Sequence, residues 1–387
     1  IYLQTEANQL LEEMDRVARD TTFNEIAVLD GTFADRRFQI GSNEREKAVI
    51  SVANLRTDNL GAYQSETEIK ESAGSANSLA GEGTTGGTAA GINSLIDADD
   101  DITITGLVGT STINLADNNT AKEIVELVNA KFDKTGVSAT AMTTVKIEML
   151  STAAAGNHVV GFDIFGKNAS KQAISATVTL GTTAATSDLT NLRDQLNAYT
   201  GTTGIRCTLS ADRSNIIMVQ DEGEDIAIQN LNFASVGNAI TTKMICTAMN
   251  MDQDVEGTAK NVLDEDHNSG NSDSIRFAGQ LKFHSSQTFT IVGNAGGGLY
   301  DASPGAATLN KVSTIDLRTL TGAVDALKVV DRALDRIHME RAKFGAIMSR
   351  MNVVIDNLTN VSQNQRASRA RIVDADFALE SANLSKS

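Results

Sequence analysis

The sequence predicts an α+β chain: a long, coiled-coil-like helical rod made from the two ends, carrying a β-hairpin, with β-rich outer domains inserted between. Three observations carry this reading. Towards the carboxyl end, Leu327, Val330, Leu334, Ile337, Phe344, Met348, Met351, Ile355 and Leu358 follow steps of three and four, interrupted by Arg341 at one seam position. Leu3, Ala7, Leu10, Met14 and Val17 repeat that spacing at the amino end, with Leu11 widening the stripe. Such a 3.5-residue apolar period means a seam packed along its whole length. Between these ends lies a long stretch of alternating, Thr- and Gly-rich sequence that holds the chain's only proline.

Residues 1–62 read as the amino-terminal half of the core. A helix covers 1–20. TTFNEIAVLDGTF follows as an irregular stretch with a turn at Asp30–Gly31. Arg37–Ile40 and Ala48–Val52 alternate polar and apolar residues around Gly41–Lys47, which reads as a hairpin. Residues 63–94, rich in Ser, Gly, Thr and Ala, form a linker. The carboxyl-terminal half of the core occupies 315–387, where about 38 seam-bearing residues make a rod of roughly 57 Å.

Residues 95–172 and 173–238 read as two related β-rich modules. At an offset of 68 residues, Asn129, Ala130, Gly136 and Val137 match Asn197, Ala198, Gly204 and Ile205, and Ile124 and Val128 match Leu192 and Leu196. Each copy predicts a strand, a short amphipathic helix, a Gly turn and further strands, with Thr120 and Ser187–Asp188 where helix caps belong. Residues 239–314 are a further β-rich insert and return linker, with strands at Ser274–Phe283 and Gln287–Val292.

The two ends also carry a family likeness. LQTEANQLLEEMDRVARDTTFNEIAVLDG, then FQIGSN and LRTDNLG, resemble the amino-terminal core of bacterial flagellin, and SRARIVDADFALESANLSKS resembles the other half of that core. The likeness covers residues 1–62 and about 315–387. It implies a flagellin D1-like core and a mechanical function. Identical subunits would stack through their rods into a tubular filament that supports motility and exposes a variable insert. It also implies export without a cleaved signal, an extracellular place on the flagellum or cell surface, and a segment trimmed of its outermost terminal helices that is soluble and monomeric by itself. The implied partners are other flagellin subunits, an export chaperone, a filament cap and a host innate receptor. Glu6 matches a position implicated in the receptor contact, whose main segment would precede Ile1.

The expected assembly interface comprises Leu3, Leu10, Arg16, Val17, Asn24, Leu327, Leu334, Met348, Met351, Ile355, Leu358, Arg369, Asp374 and Asp376. Asp30 and Arg371 are further polar groups placed to set register, and Arg341 within the seam should reach a carboxylate, since buried charge without a partner is costly. The alternative is a flagellin homologue acting as a surface adhesin or polysaccharide receptor, with the same core and a ligand site in the insert.

Composition narrows the chemistry. A net charge of -16 without Lys/Arg clusters argues against nucleic acid and against docking on an anionic membrane. No run of 18 apolar residues is present to span a bilayer. Cys207 and Cys246 read as buried free thiols. His158, His267, His284 and His338 have no zinc spacing, and no nucleophile–base pattern stands out, so neither an enzyme nor a cofactor is expected. Asp252, Asp254 and Glu256 copy the first half of a calcium loop. Lys260 and Leu263 then fill its ninth and twelfth positions, so a solvated acidic loop is the preferred reading. Asp97, Asp99–Asp101 and Asp221–Asp225 are read the same way. Glycan stacking would have little beyond Tyr199 and Tyr300 to use.

Overall fold

A computed structural model describes residues 2–40, 46–67, 96, 100–151, 155–234, 242–253, 261–263, 274–293 and 305–386. Most of the expected linker 63–94 lies outside them. In chain order the elements are α1 (Tyr2–Asp20), β1 (Thr22–Phe23), β2 (Ile26–Ala27), β3 (Arg36–Gln39), β4 (Lys47–Ile50), β5 (Gly61–Glu66), β6 (Ile102–Thr105), β7 (Thr110–Ile113), α2 (Ala121–Asn129), α3 (Phe132–Thr135), β8 (Ser138–Ser151), β9 (Gly156–Phe165), β10 (Gln172–Leu180), α4 (Thr190–Ala198), α5 (Thr200–Thr203), β11 (Ile205–Leu209), β12 (Asn215–Gln220), β13 (Ile226–Ala234), β14 (Thr242–Met249), β15 (Asn261–Leu263), β16 (Ile275–Phe277), β17 (Gln280–Ser285), β18 (Thr290–Gly293), β19 (Gly305–Ala306), β20 (Thr308–Lys311) and α6 (Leu320–Lys386). They fall into two compact units, one made of Ile1–Gly61, Lys311–Thr314 and Val329–Ser387, the other of Ala62–Asn310 and Ile315–Lys328.

In the first unit, the stretch after α1 that looks irregular in sequence is a minimal hairpin. Phe23 pairs with Ile26, and Asn24 and Glu25 between them have φ of 49° and 64°. Two consecutive positive φ values belong to a type I′ turn, whose twist suits a two-residue hairpin; Asn takes that conformation at small cost. Asp30 closes the next turn, its Oδ1 accepting from Thr32 N (2.9 Å) and Thr32 Oγ1 (2.7 Å). Strands β3 and β4 pair antiparallel from Arg36↔Ile50 to Gln39↔Lys47, the expected hairpin.

The segment 51–60 then ties this unit's helices. Arg56 Nε donates to Asp15 Oδ1 of α1 (3.1 Å), Lys343 Nζ to Ser51 O (3.2 Å) and Arg336 Nη1 to Asn59 O (3.4 Å). Leu60 is buried to 1% exposure and accepts from Val312 N at 2.9 Å. The LRTDNLG motif is thus a staple held by both side-chain and main-chain groups. Helix α6 is capped by Thr319, whose Oγ1 accepts from Gly322 N (3.0 Å). With no proline after Pro304 to stop it, the helix runs 67 residues. That is roughly 100 Å at about 1.5 Å per residue, well beyond the end of the apolar seam at Leu358.

In the second unit, β10-β9-β13-β16 form one sheet and β19-β18-β6-β7 another. The largest has the order β11-β12-β8-β17-β5-β20, with β14 also on β8 and β15 on β14. The segments expected as separate modules therefore share sheets: β8 from the first pairs with β12 of the second and with β14 and β17 of the third. Strand β8 also spans two cores. Ala139 and Ala141 pack with Ile124 and Val128 of α2, whereas Val145, Ile147 and Met149 pack with Leu192 and Leu196 of α4. The run 274–283, read as one strand, breaks at Ala278–Gly279, sending β16 and β17 to different sheets. A Cβ at Gly279 would lie 2.8 Å from that of Ala121, so the bend passes too close to α2 for another residue.

The internal repeat recurs in its helix-to-strand turn. Asn129 accepts from Ala139 N (2.9 Å) and donates to Ala139 O (3.2 Å); Asn197 does the same with Cys207 N (2.8 Å) and O (2.9 Å). Thr135 and Thr203 each donate to the carbonyl four residues back and accept from the amide two residues on. Gly136 and Gly204 end the short helices with φ of 71° and 73°. Thr120 caps α2 in a full capping box with Glu123. In the second copy the cap expected at Ser187–Asp188 is not formed. Leu189 is the N-cap of α4 and gives no side-chain cap bond. Asp188, one residue earlier, accepts from Thr190 N (3.0 Å), and buried Ser187 donates to Met149 O (2.8 Å).

Two charged clusters are buried here. Arg276 holds Asp225 Oδ2 at 2.7 Å, yet Asp225 Oδ1 has no hydrogen-bond partner. Burial pushes the Asp225 carboxyl up to about 6 against the pull of Arg276. Lys282 of β17 meets Glu66 (2.7 Å), Asp325 (2.9 Å) and Asp252 (3.7 Å). Burial opposes its charge, but the carboxylates of Glu66 and Asp325 outweigh it and raise its pKa.

Replacing Asn129 or Asn197 by Ala should cost about 1–3 kcal/mol each in urea unfolding, because a backbone N–H and C=O lose their partner together. Asp225 makes stability depend on pH. A folded pKa above the unfolded value means the native state binds the proton more tightly. The contribution of Asp225 is therefore present below its ordinary value of 3.8 and lost as pH rises through about 6. The stability of the wild-type chain relative to Asp225→Asn should accordingly rise on acidification from about pH 7 to about pH 4, and a pH-independent difference would contradict this role.

Candidate assembly surface

The apolar seam read from the sequence splits into two columns on each terminal helix. On α6, Ile337, Phe344, Met351 and Leu358, seven residues apart, are half-buried. Ala333, Glu340, Ile347 and Val354, also seven apart, are buried or half-buried beside them and complete the inner face. Val330, one heptad before Ile337, lies at the margin with 36% exposure. The outer column, Leu327, Leu334, Met348 and Ile355, recurs at multiples of seven and stays exposed, Leu334 to 46% and Met348 to 64%. Arg341 occupies the missing step of that exposed column. Within the single chain its side chain is exposed, so it needs no carboxylate there; the requirement holds only where the outer column is covered.

Helix α1 repeats the division. Ala7, Leu11, Met14 and Ala18 are half-buried or buried, whereas Leu3, Leu10 and Val17 are exposed, Leu10 to 66%. From Thr359 to Lys386 every described side chain of α6 is exposed, including Val361, Ile372, Val373 and Leu384. An isolated helical stretch of that kind gains nothing from packing, which is where most helical stability originates.

The polar residues expected at the interface separate by role. Arg16 is exposed and paired with Glu13 and Asp20. Asn24 and Asp30 shape the turns already described. Arg369 and Arg371 are exposed on α6. Asp374 and Asp376 lie on the same helix, but their side chains fall outside the described residues. Sequence reasoning misses the column division because period alone gives the seam and not which half of it is already covered.

The insert offers little chemistry. Of the calcium-loop candidates, Asp254 and Glu256 lie outside the described residues, and Asp252 faces the Lys282 ammonium, which disfavours a cation there. Among the described residues no three His, Cys, Asp or Glu side chains cluster in a metal-holding arrangement. Cys207 and Cys246 are free and buried. Burial pushes the Cys207 thiol up to about 12 and raises that of Cys246, which leaves both poor nucleophiles. His284 is enclosed between Gln64 (3.3 Å) and Thr140 (3.2 Å). A cavity of about 260 Å³ opens beside Lys282, lined by Ala141, Met142, Met251 and Val324. Among the described residues no helix is long and apolar enough to cross a membrane.

Residues 327–387 match the family model of the bacterial flagellin C-terminal helical region. The chain is 30% identical to the B-type flagellin of Pseudomonas aeruginosa over 387 aligned residues, which take in 99% of this chain and 72% of that protein. Flagellin D and flagellin C of Vibrio cholerae are each 43% identical over 82 residues, 21% of this chain and 22% of theirs. Identity that runs the length of the chain, on top of exposed heptad columns at both ends, establishes that the chain belongs to the flagellin family, the structural subunits of the bacterial flagellar filament.

Proposed function

We propose that copies of this chain assemble through the outer heptad columns of α1 and α6, while the inner columns hold each subunit together. The observation that carries this reading is the regular exposure of Leu3, Leu10 and Val17 and of Leu334, Met348 and Ile355. Aliphatic side chains repeated every seven residues on a solvent face are what a coiled-coil seam presents before its partner arrives. The exposed stretch 359–386 supports the same reading, since Val361, Ile372 and Val373 lie uncovered along it. The filament so formed is extracellular, with the β-rich unit as the variable insert. An export chaperone, a filament cap and a host receptor meeting α1 near the exposed Glu6 complete the proposed partners.

Polymerisation of the full-length protein tests this. Leu334→Lys and Ile355→Lys should leave the monomer's unfolding within about 0.5 kcal/mol of wild type, as exposed substitutions do. The same variants should raise the critical concentration for filaments by tenfold for each ~1.4 kcal/mol by which they weaken subunit association. The half-buried Phe344→Lys should instead lower monomer stability. Filaments that form normally from the double variant would refute the outer-column role.

A further inference from the structure

One feature of the second unit makes no use of the heptad columns: the cavity of about 260 Å³ bounded by β8, β17, the turn after β14 and the first turns of α6. Met142, Met251 and Val324 form its apolar wall. The buried polar groups beside them are already matched. The His284 ring nitrogens meet Gln64 and Thr140, and the Lys282 ammonium meets Glu66, Asp325 and Asp252. Such a wall favours an apolar guest over water, which needs about two to four polar partners; an apolar cavity of about 150 Å³ already takes up benzene. The charges lining the cavity decide the rest of the guest. Asp221 is held by Arg206 at 3.1 Å, and Asp252 and Asp325 both face Lys282. Lys328 remains, half-buried and with no carboxylate partner among the described residues. It stands four residues after Val324 on α6, so the two side chains share one helix face and one cavity wall.

We propose that this cavity binds a small amphiphilic carboxylate of the medium-chain fatty-acid class. The chain lies against Met142, Met251 and Val324, and the carboxylate pairs with the Lys328 ammonium. Methionine suits that wall, because its flexible thioether moulds itself to apolar guests of varied shape. An amine of the same length would meet the unmatched cation instead of a free carboxylate, since every acid lining the cavity already has a basic partner. None of these residues belongs to the heptad columns, and the site stands whether or not those columns assemble.

Calorimetric titration of the chain with butanoate, hexanoate and octanoate tests this, with octylamine as the cationic counterpart. Affinity should rise about fourfold for each methylene added, the gain expected from burying one CH₂. Octylamine should bind about tenfold more weakly than octanoate, the loss of one charge pair. Lys328→Met keeps the apolar stem and should remove that preference. Val324→Trp, at an exposed helical position, should fill the cavity and abolish octanoate binding. In methionine-labelled protein, octanoate should shift the Met142 and Met251 methyl resonances and leave that of Met348 unmoved. Binding without chain-length dependence would reduce the site to a surface ion pair and overturn the cavity assignment. Unchanged octanoate affinity in either variant overturns the proposed pose, and absence of saturable octanoate binding overturns the site.

Discussion

On the proposed assembly each terminal helix satisfies two packings at once, and the rest of the first unit depends on how its apolar residues are shared between them. A heptad seam has two columns, and here one is sheltered within the chain and the other left in water. If both columns were covered, nothing would remain for a second subunit. If neither were, α1 and the long α6 would lack the tertiary contact that stabilises helices in water. The staple at 51–60 resolves the conflict by fixing the helices through Arg56, Ser51 and Asn59, polar contacts that consume no outer apolar residue.

The second unit answers a different constraint. A chain with few aromatics and no tryptophan builds its cores mainly from aliphatic residues, with single Phe side chains such as Phe162, Phe233, Phe283 and Phe289 set among them. It does so by using one strand twice, β8 contributing to two clusters that are each plugged by the helix of one repeat copy. The Asn clamps fix the helix-to-strand turn without apolar bulk. A penalty remains in the buried Asp225–Arg276 pair, where one carboxylate oxygen goes without a partner.

Much of this is legible in the sequence, and the gaps have physical causes. The seam, the β3–β4 hairpin and the 68-residue repeat are signalled by period, alternation and matched Asn and Gly residues. The β1–β2 hairpin is not, because Asn24–Glu25 lacks the Gly that usually marks a type I′ turn. Helix α6 outruns its apolar pattern, since Arg- and Ser-rich sequence such as RASRARIV shows no stripe yet contains nothing that breaks a helix. The break at Gly279 depends on how close α2 passes, a distance no local pattern encodes. Arg341 is anomalous only for a seam buried on both columns, and burial is what period cannot report.

Methionine footprinting would test the division of columns most directly. Met348 stands in the outer column and Met351, one turn away, in the inner one. Thioether oxidation follows exposure. In monomers Met348 should oxidise readily and Met351 slowly, and on polymerisation of the full-length protein Met348 should become protected. Equal protection of the two in the monomer, or undiminished oxidation of Met348 in filaments, would contradict the two-column division.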